Sequence, residues 1–186
     1  MAVQRILGID PGSIITGWGV VEGDHQRLTH IDNGGIFTRN KEFHCRLREI
    51  HDGLQKVIYE YRPTHVALEQ VFMSKNAQSA LKLGQARGVA LIVALNANLQ
   101  VSEFMPTSIK LAVVGHGRAS KDQVASMVQT ILGLPEPAQV DASDALAAAL
   151  TYLLQPKINN ALLAAQPPKK RSSRGSRRRR RASSSA

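Results

Sequence analysis

Four acidic residues stand where their carboxylates could act together on one substrate. Asp10 ends a short apolar run just before a Pro-Gly turn, and Glu69 ends the apolar segment that begins at Thr64. Asp141 and Asp144 are three residues apart in a predicted helix, so they share one helix face. Because α/β proteins build their sites at strand ends, we expect the four carboxylates to converge if this helix packs near both strand ends.

Each of these acids also has an ordinary explanation when it is taken alone. An acid at a strand end is often only a solvated edge. Acids in the first turn of a helix interact favourably with the helix dipole, by about 0.3–1 kcal/mol each. The dipole accounts for one acid, but it gives no reason for a second acid beside the apolar stretch A-L-A-A-A-L-T-Y-L-L.

Four clustered carboxylates would favour bound divalent cations. Without compensation the anions repel one another and some stay protonated, whereas Mg²⁺ or Mn²⁺ prefers oxygen ligands of this kind. Two such metals about 3.5–4 Å apart are a common arrangement for cutting phosphodiester bonds. The pattern predicts two ions per site and a water molecule as the nucleophile. The six histidines show no metal-ligand spacing, and no Ser/His/Asp or Cys/His triad pattern is present.

The elements that must position these acids alternate between strand and helix. The patterns predict strands over residues 5–10, 16–22, 27–37, 64–69 and 101–104, and helices over 43–61, 76–98, 106–113, 121–132 and 141–154. Asn33-Gly34-Gly35 is expected to break the third strand. This order predicts an α/β fold, in which helices flank a mixed sheet made of an antiparallel meander and parallel strands.

The second predicted helix carries a stripe of small residues. Ala80, Gly84 and Gly88 are four apart, so another backbone can approach there, either from the same chain or from a second subunit. From Val89 onward the helix is apolar nearly all round, which predicts burial.

Length and charge predict one folded domain with a basic tail. The 186 residues carry a net charge of +10, but nine of the 24 Lys and Arg follow Gln166, where there is no acid. Residues 1–158 are predicted to fold, and residues 159–186, rich in Ser and Arg, to be disordered. The tail is either a solubilising extension or a tether to phosphates that acts through counterion release.

The sequence carries no signal for secretion or for the membrane. Cys45 is the only cysteine, and the N-terminus lacks the charge pattern of a signal peptide. The apolar run Val89–Leu95 is too short to cross a bilayer. We therefore expect a soluble intracellular protein with no membrane partner.

Three sequence blocks resemble the RuvC family of bacterial Holliday-junction resolvases. They are G-I-D-P-G-S…T-G-W-G-V, A-L-E-Q-V-F-M-S-K-N-A-Q-S-A-L-K-L-G-Q-A-R-G and V-D-A-S-D-A-L-A-A-A, in this order over roughly residues 3 to 155. The resemblance implies an RNase H-like fold and a homodimer that nicks four-way junction DNA symmetrically with Mg²⁺ or Mn²⁺. It also implies a branch-migration helicase complex of the RuvA and RuvB type as partner, and a bacterial cytoplasmic, nucleoid-associated location. The Arg-rich tail is not part of the shared pattern.

The resemblance also implies roles for individual residues. The catalytic and metal-binding carboxylates fall on Asp10, Glu69, Asp141 and Asp144. The aromatic residue that stacks on junction bases falls on Phe72, and lysines near the DNA fall on Lys110 and Lys121. We further expect phosphate contacts from Lys75, Lys82 and Arg87, which surround the same segment, although any helix face usually carries such charges.

Three other kinds of protein compete with this interpretation. Actin-like sugar kinases and ATPases share the sheet, but they need two such domains, and this chain has neither the length nor a P-loop pattern. A junction-binding scaffold would not need the clustered acids. A ribonuclease of the RNase H type shares the chemistry, and only the block around Phe72 and the family resemblance argue against it.

Overall fold

The computed structural model describes residues 3–24, 27–40, 42–70 and 76–165, with side chains to residue 155. Phe72, Lys75 and the tail from residue 166 therefore lie outside the described residues. Ten elements follow one another: β1 Gln4–Asp10, β2 Ile15–Gly23, β3 Leu28–Phe37, α1 Phe43–Tyr61, β4 His65–Glu69, α2 Ala77–Asn96, β5 Gln100–Phe104, α3 Pro106–Val114, α4 Lys121–Leu132 and α5 Val140–Ala165.

The five strands form one mixed sheet in the order β3-β2-β1-β4-β5. The first three strands pair antiparallel, as hairpins allow, and β1–β4 and β4–β5 pair parallel because helices connect them. The predicted meander joined to parallel strands is confirmed. The parallel strands β1, β4 and β5 bring their carboxyl ends to one edge of the sheet.

Two buried clusters cover the two faces of this sheet. On one face, α3, α4 and α5 pack over Ile6, Ala67 and Phe104. On the other face, α1 and α2 pack over Leu7, Ile9, Val20 and Leu68. The split follows the two-residue period of each strand, which sends neighbouring side chains to opposite faces.

Helix ends follow local capping chemistry. Ser120 and Gln123 form a capping box that starts α4 at Lys121, and Gly133 ends α4 in the left-handed conformation. Pro106 opens α3 at a position where the missing N–H costs nothing. These caps explain why the predicted bounds of α3 and α4 lie within one residue of those observed.

Three details differ from the sequence-based expectations. β3 runs unbroken through Asn33–Gly35. Gly34 does not form a turn there, and the absence of a side chain leaves space for the Trp18 ring. The expected all-round burial of α2 is wrong, since Ile92 is 49% and Leu95 57% exposed. α5 continues beyond Leu154 and through Pro156 to Ala165, and its last five residues are the strong helix formers Ala and Leu. No helix among the described residues is both long enough and apolar enough to cross a membrane.

Candidate active site

Asp10 lies at the carboxyl end of β1 and points toward α5. Gly8, two residues earlier, faces the α5 backbone, and alternation along the strand places Asp10 on the same face. The turn that follows is fixed by the buried Thr16, whose hydroxyl donates to the Gly12 carbonyl at 2.9 Å. A Cβ on Gly12 would lie 1.9 Å from the Ile15 carbonyl oxygen, so this tight turn requires glycine.

Glu69 occupies the equivalent place on the neighbouring strand β4. It follows Ala67 on the α5 face by two residues, and it is paired in register with Phe104 of β5. The Gln70 N–H donates to the Phe104 carbonyl at 2.8 Å and continues the ladder one step beyond Glu69. The end of β4 is therefore held by β5, and Glu69 projects from a fixed backbone.

The helix α5 brings the other two acids to the same edge. Its first turn lies against β2, where a Cβ on Gly17 would be 2.0 Å from the Asp141 carbonyl oxygen. Because Gly17 pairs with Asp10 across β1 and β2, this contact sets Asp141 close to the end of β1. Asp144 follows one turn later and faces α4, where its carboxylate accepts a hydrogen bond of 2.9 Å from the Lys121 ammonium.

The four carboxylates influence one another's ionisation. The pKa of Asp10 is raised from 3.8 to about 7, mainly by burial and in addition by the negative charges of Asp144, Glu69 and Asp141, against the opposing effect of Lys121. The influence of these charges places Asp144, Glu69 and Asp141 near Asp10. A carboxyl group whose pKa is raised by burial and by neighbouring acids is typical of functional sites.

Two lysines balance part of this negative charge. Burial and Asp144 raise the pKa of Glu69, while Lys121 and Lys110 lower it. The hydrogen bond to Asp144 raises the pKa of Lys121 above its ordinary value. Both lysines line a small cavity of about 50 Å³, which Glu69 and Asp144 also line.

The site's chemistry fits a divalent cation, although its side chains are not arranged as ligands. Among the described residues, no three His, Cys, Asp or Glu side chains stand in a metal-ligating geometry. Instead, the Lys121 ammonium lies against Asp144. The donor set is oxygen only, and Asp10 is half-buried beside three other anions, a surplus of negative charge that a cation relieves. The residues present therefore fit Mg²⁺ or Mn²⁺.

The remaining predicted DNA contacts lie in different surroundings. Lys82, in the first half of α2, holds its ammonium 5.7 Å from the centre of the Phe43 ring. Arg87 forms an ion pair of 2.5 Å with Glu103 of β5, its side chain is only 24% exposed, and its Nε is buried without a partner among the described residues. Arg87 therefore joins α2 to β5, and a phosphate contact from it stays a prediction. Phe72 and Lys75 are outside the described residues.

Sequence reasoning missed Gln139, which precedes α5. Its side-chain amide donates to the Asp141 carboxylate at 3.4 Å. Its amide oxygen lies over β3, 2.9 Å from where a Cβ on Gly35 would stand. The one available signal was its place two residues before Asp141, which is too weak to single out a glutamine.

Comparison with known proteins identifies the family and agrees with the fold. The family model described as "Crossover junction endodeoxyribonuclease RuvC" matches residues 6–152. A crossover junction endodeoxyribonuclease RuvC from Geobacter metallireducens is 56% identical over 160 residues, which are 86% of this chain and 98% of that protein. A similar protein from Pelobacter propionicus is 57% identical over 151 residues, which are 81% of this chain and 86% of that one.

Solved structures show the same relation. The Thermus thermophilus RuvC in complex with Holliday junction substrate has a TM-score of 0.78 and 34% identity, and the match covers 84% of this chain and 96% of that one. The yeast mitochondrial Holliday junction resolvase Ydc2 has a TM-score of 0.61 at 12% identity, over 84% of this chain and 81% of that one, and this likeness shows the fold alone. The expected RNase H-like fold is confirmed. On these matches, the chain belongs to the RuvC family of crossover junction endodeoxyribonucleases.

Proposed function

We propose that this protein resolves Holliday junctions by nicking two strands of like polarity symmetrically during recombination and repair. Asp10, Glu69, Asp141 and Asp144 are the proposed catalytic carboxylates. The observation that carries the proposal is the coupling of these four acids, drawn from β1, β4 and α5, around the half-buried Asp10. Family membership supports the choice of a DNA junction as substrate.

The proposed cofactor is Mg²⁺ or Mn²⁺, two ions per site, held by the same four carboxylates. The bound cations would supply Lewis-acid stabilisation for the charge that develops on the phosphate and would favour deprotonation of the attacking water. The chain itself orients the acids, since Asp10 and Glu69 project from paired strand ends and Asp141 from the α5 turn against Gly17.

Lys121 and Lys110 are the proposed phosphate contacts within the site. Both influence the ionisation of Glu69 and line the cavity beside it. The Lys121 ammonium is paired with Asp144 in the protein alone. We infer that Lys121 would contact a DNA phosphate if a bound cation neutralised Asp144, and that the charge of Lys121 would then help to stabilise the transition state.

The proposal is tested by a nicking assay on a synthetic four-way junction, with and without Mg²⁺. The Asp10→Asn variant keeps the volume of the side chain and removes its charge, so we expect cleavage to fall on the order of a thousandfold. Junction binding should stay nearly unchanged. Asp52→Asn is the matched control, because Asp52 lies exposed on α1 and pairs only with its neighbour His51 among the contacts described.

Other outcomes separate the competing functions. Binding without cleavage under any divalent metal would favour a junction-binding scaffold. Cleavage of RNA–DNA hybrids in preference to junctions would favour a ribonuclease of the RNase H type. A loss of binding together with activity in Asp10→Asn would instead indicate a structural role for Asp10.

We further propose a homodimer that meets through the outward face of α2. This face carries exposed Leu81, Ile92 and Leu95 in line with Gly84 and Gly88, and a Cβ on either glycine would meet no described atom within 4 Å. A two-fold dimer matches the symmetry of two nicks in a four-way junction. Ile92→Glu should shift the protein to monomers in sedimentation. Leu111→Glu on α3, on the other side of the sheet, should leave the dimer intact.

The remaining proposals concern location and accessory contacts. We propose that the protein works at the bacterial nucleoid in the cytoplasm, with a branch-migration helicase complex of the RuvA and RuvB type as partner. The tail, with its nine Lys and Arg, is the proposed sequence-independent tether to DNA. Replacing Arg177–Arg181 by glutamine should make junction affinity less dependent on salt, and an unchanged salt slope would assign the tail to solubility instead.

A further inference from the structure

The end of β3 places an exposed aromatic side chain beside the four carboxylates. Phe37 is the last residue of β3 and pairs with Ile15 of β2, two positions beyond the pair of Gly17 with Gly35. Gly17 in turn pairs with Asp10, so all three strand ends share one edge of the sheet. Neighbouring strands lie about 4.8 Å apart and each residue advances about 3.4 Å, so Phe37, two strands over and two residues farther along, stands roughly 12 Å from the β1 end.

Phe37 also lies on the same face of the sheet as the acids. Gly17 faces the Asp141 carbonyl, and Gly35 beside it faces Gln139, so both belong to the α5 face. Phe37 follows Gly35 by two residues and therefore shares that face. Its ring edge lies over Gly35, where a Cβ would be 3.3 Å from Phe37 Cε2.

The Phe37 ring packs on the sheet with one side and is exposed on the other. The ring edge lies over the backbone of Gly35, and the Ile15 side chain and the Gln139 side chain, whose amide donates to Asp141, converge on the same glycine. Even so, Phe37 is 55% exposed. A supported, exposed ring next to a site for phosphodiesters resembles the aromatic platforms on which single-stranded bases stack.

The two flanks of the carboxylates differ in chemistry. On the β4 side, Lys110 and Lys121 offer positive charge. On the β3 side, Phe37 offers an apolar face, and Val140 at the start of α5 is exposed as well. A nucleic acid strand has the same asymmetry, with anionic phosphates on one side and apolar base faces on the other. This complementarity favours a nucleobase as the occupant of the Phe37 face.

We propose that Phe37 stacks on a nucleobase next to the phosphate that is cut, and so helps to determine which sequence at the junction is cleaved. This inference rests on the proposed function, because it needs a DNA strand at the carboxylates. It assigns Phe37 a role in base contact that is separate from the charge chemistry of the four acids.

The test uses the full-length protein and junctions that carry 2-aminopurine at positions flanking the cut, in Ca²⁺ for binding and in Mg²⁺ for cleavage. Stacking on Phe37 should quench or shift the fluorescence of one probe in the wild type. Phe37→Leu keeps an apolar side chain without an aromatic face, so we expect it to lose this signal. We also expect its preference among nucleotides at the cut to fall by about two- to threefold, because bases differ in stacking strength although all of them can stack. Phe37→Tyr keeps the ring and should retain both.

Tyr59→Ala is the matched control, because Tyr59 is an aromatic residue of α1 that is 80% exposed on the other face of the sheet. It should change neither readout. The inference is overturned if Phe37→Leu cuts wild-type junctions with wild-type preference and an unchanged probe signal. Failure of the wild type to cut any junction would overturn the proposed function itself, so the two failures are distinguishable.

Discussion

The sheet strands and helix α2 both carry glycines, but these glycines lie in opposite surroundings. Gly8 and Gly17 face α5 so closely that a Cβ would stand 1.8 Å and 2.0 Å from carbonyl oxygens of that helix. Gly84 and Gly88 point away from the sheet, and a Cβ there would reach nothing within 4 Å in the part of the chain that the structure describes. Glycine therefore permits close contact between the strands and α5, whereas on α2 it lies on a surface that no described residue covers.

The close approach of α5 to the strands explains how the site is built. Only a helix whose backbone nearly touches the strands can hold Asp141 and Asp144 beside Asp10 and Glu69, because an aspartate side chain is short. The opposite face has no such requirement. There, aliphatic side chains such as Leu54 fill the space between the helices and the sheet.

The largest expected effect comes from filling the space under α5. Gly8→Ala places a methyl group against the Ala145 backbone, which cannot rotate away, so α5 must move or the fold is lost. We expect a cost on the order of 4 kcal/mol or more in the free energy of unfolding, measured by urea denaturation. A cost below 1 kcal/mol with full cleavage activity would show that α5 does not need this close approach.

A cavity on the opposite face should cost less and leave the site intact. Leu54 is fully buried between α1 and the sheet, so Leu54→Ala should lower the free energy of unfolding by about 2–4 kcal/mol. At a temperature where the variant stays folded, we expect junction cleavage at the wild-type rate. A loss of cleavage in the folded variant would mean that the α1 face also positions the carboxylates.

Removing the charge of Asp10 should stabilise the metal-free protein. The pKa of Asp10 is about 7 in the fold and 3.8 when unperturbed. Between these values the folded protein binds more protons than the unfolded chain, so stability falls as the pH rises through this window. Asp10→Asn has no carboxyl group to ionise, so its stability does not fall in this window. We expect its free energy of unfolding to exceed that of the wild type by roughly 1–2 kcal/mol at pH 8 and to equal it near pH 4.

The measurement is chemical denaturation in EDTA at several pH values, with Asp52→Asn as the control that should show no gain. Added Mg²⁺ should then stabilise the wild type and have little effect on Asp10→Asn, because a ligand stabilises only the form that binds it. A variant that is less stable than the wild type at pH 8 would contradict the repulsion inferred among the four acids.

The smallest expected effect is on the outward face of α2. Gly84→Ala removes the entropic cost of a helical glycine without a clash, so in dilute protein we expect a gain of about 0.5–1 kcal/mol. The added methyl group should at the same time weaken the proposed dimer in sedimentation. Destabilisation of the dilute protein would show that another part of the same chain covers Gly84.

Much of this architecture could be predicted from patterns that are local in the sequence. The predicted bounds of α1 and α4 match those observed, because a helical apolar period is bounded by Pro63 in one case and by Ser120 and Gly133 in the other. That two strand ends and the first turn of α5 bring these acids to one edge of the sheet could also be inferred from local patterns, whereas their catalytic role stays a prediction.

The remaining features depend on contacts between distant segments. A glycine in a strand can mean a bulge, a bend or a close approach, so nothing local shows that Gly8 faces Ala145 or that Gly34 makes room for Trp18. The partial exposure of α2 was not predicted, because an apolar side chain favours burial but does not reveal whether another element packs on that face of the helix. The pairing of Arg87 with Glu103 likewise needs α2 and β5 to be placed first.

The position of α5 has a consequence for how the protein is made. Asp10 and Glu69 leave the ribosome early, whereas Asp141 and Asp144 are among the last folded residues to emerge, and chains are synthesised from the N-terminus at about 5–20 residues per second. Half a site therefore exists on every unfinished chain, without the helix that completes it. A chain that ends before α5 lacks two of the four proposed catalytic carboxylates, so the topology delays assembly of the candidate site until the last helix has been made.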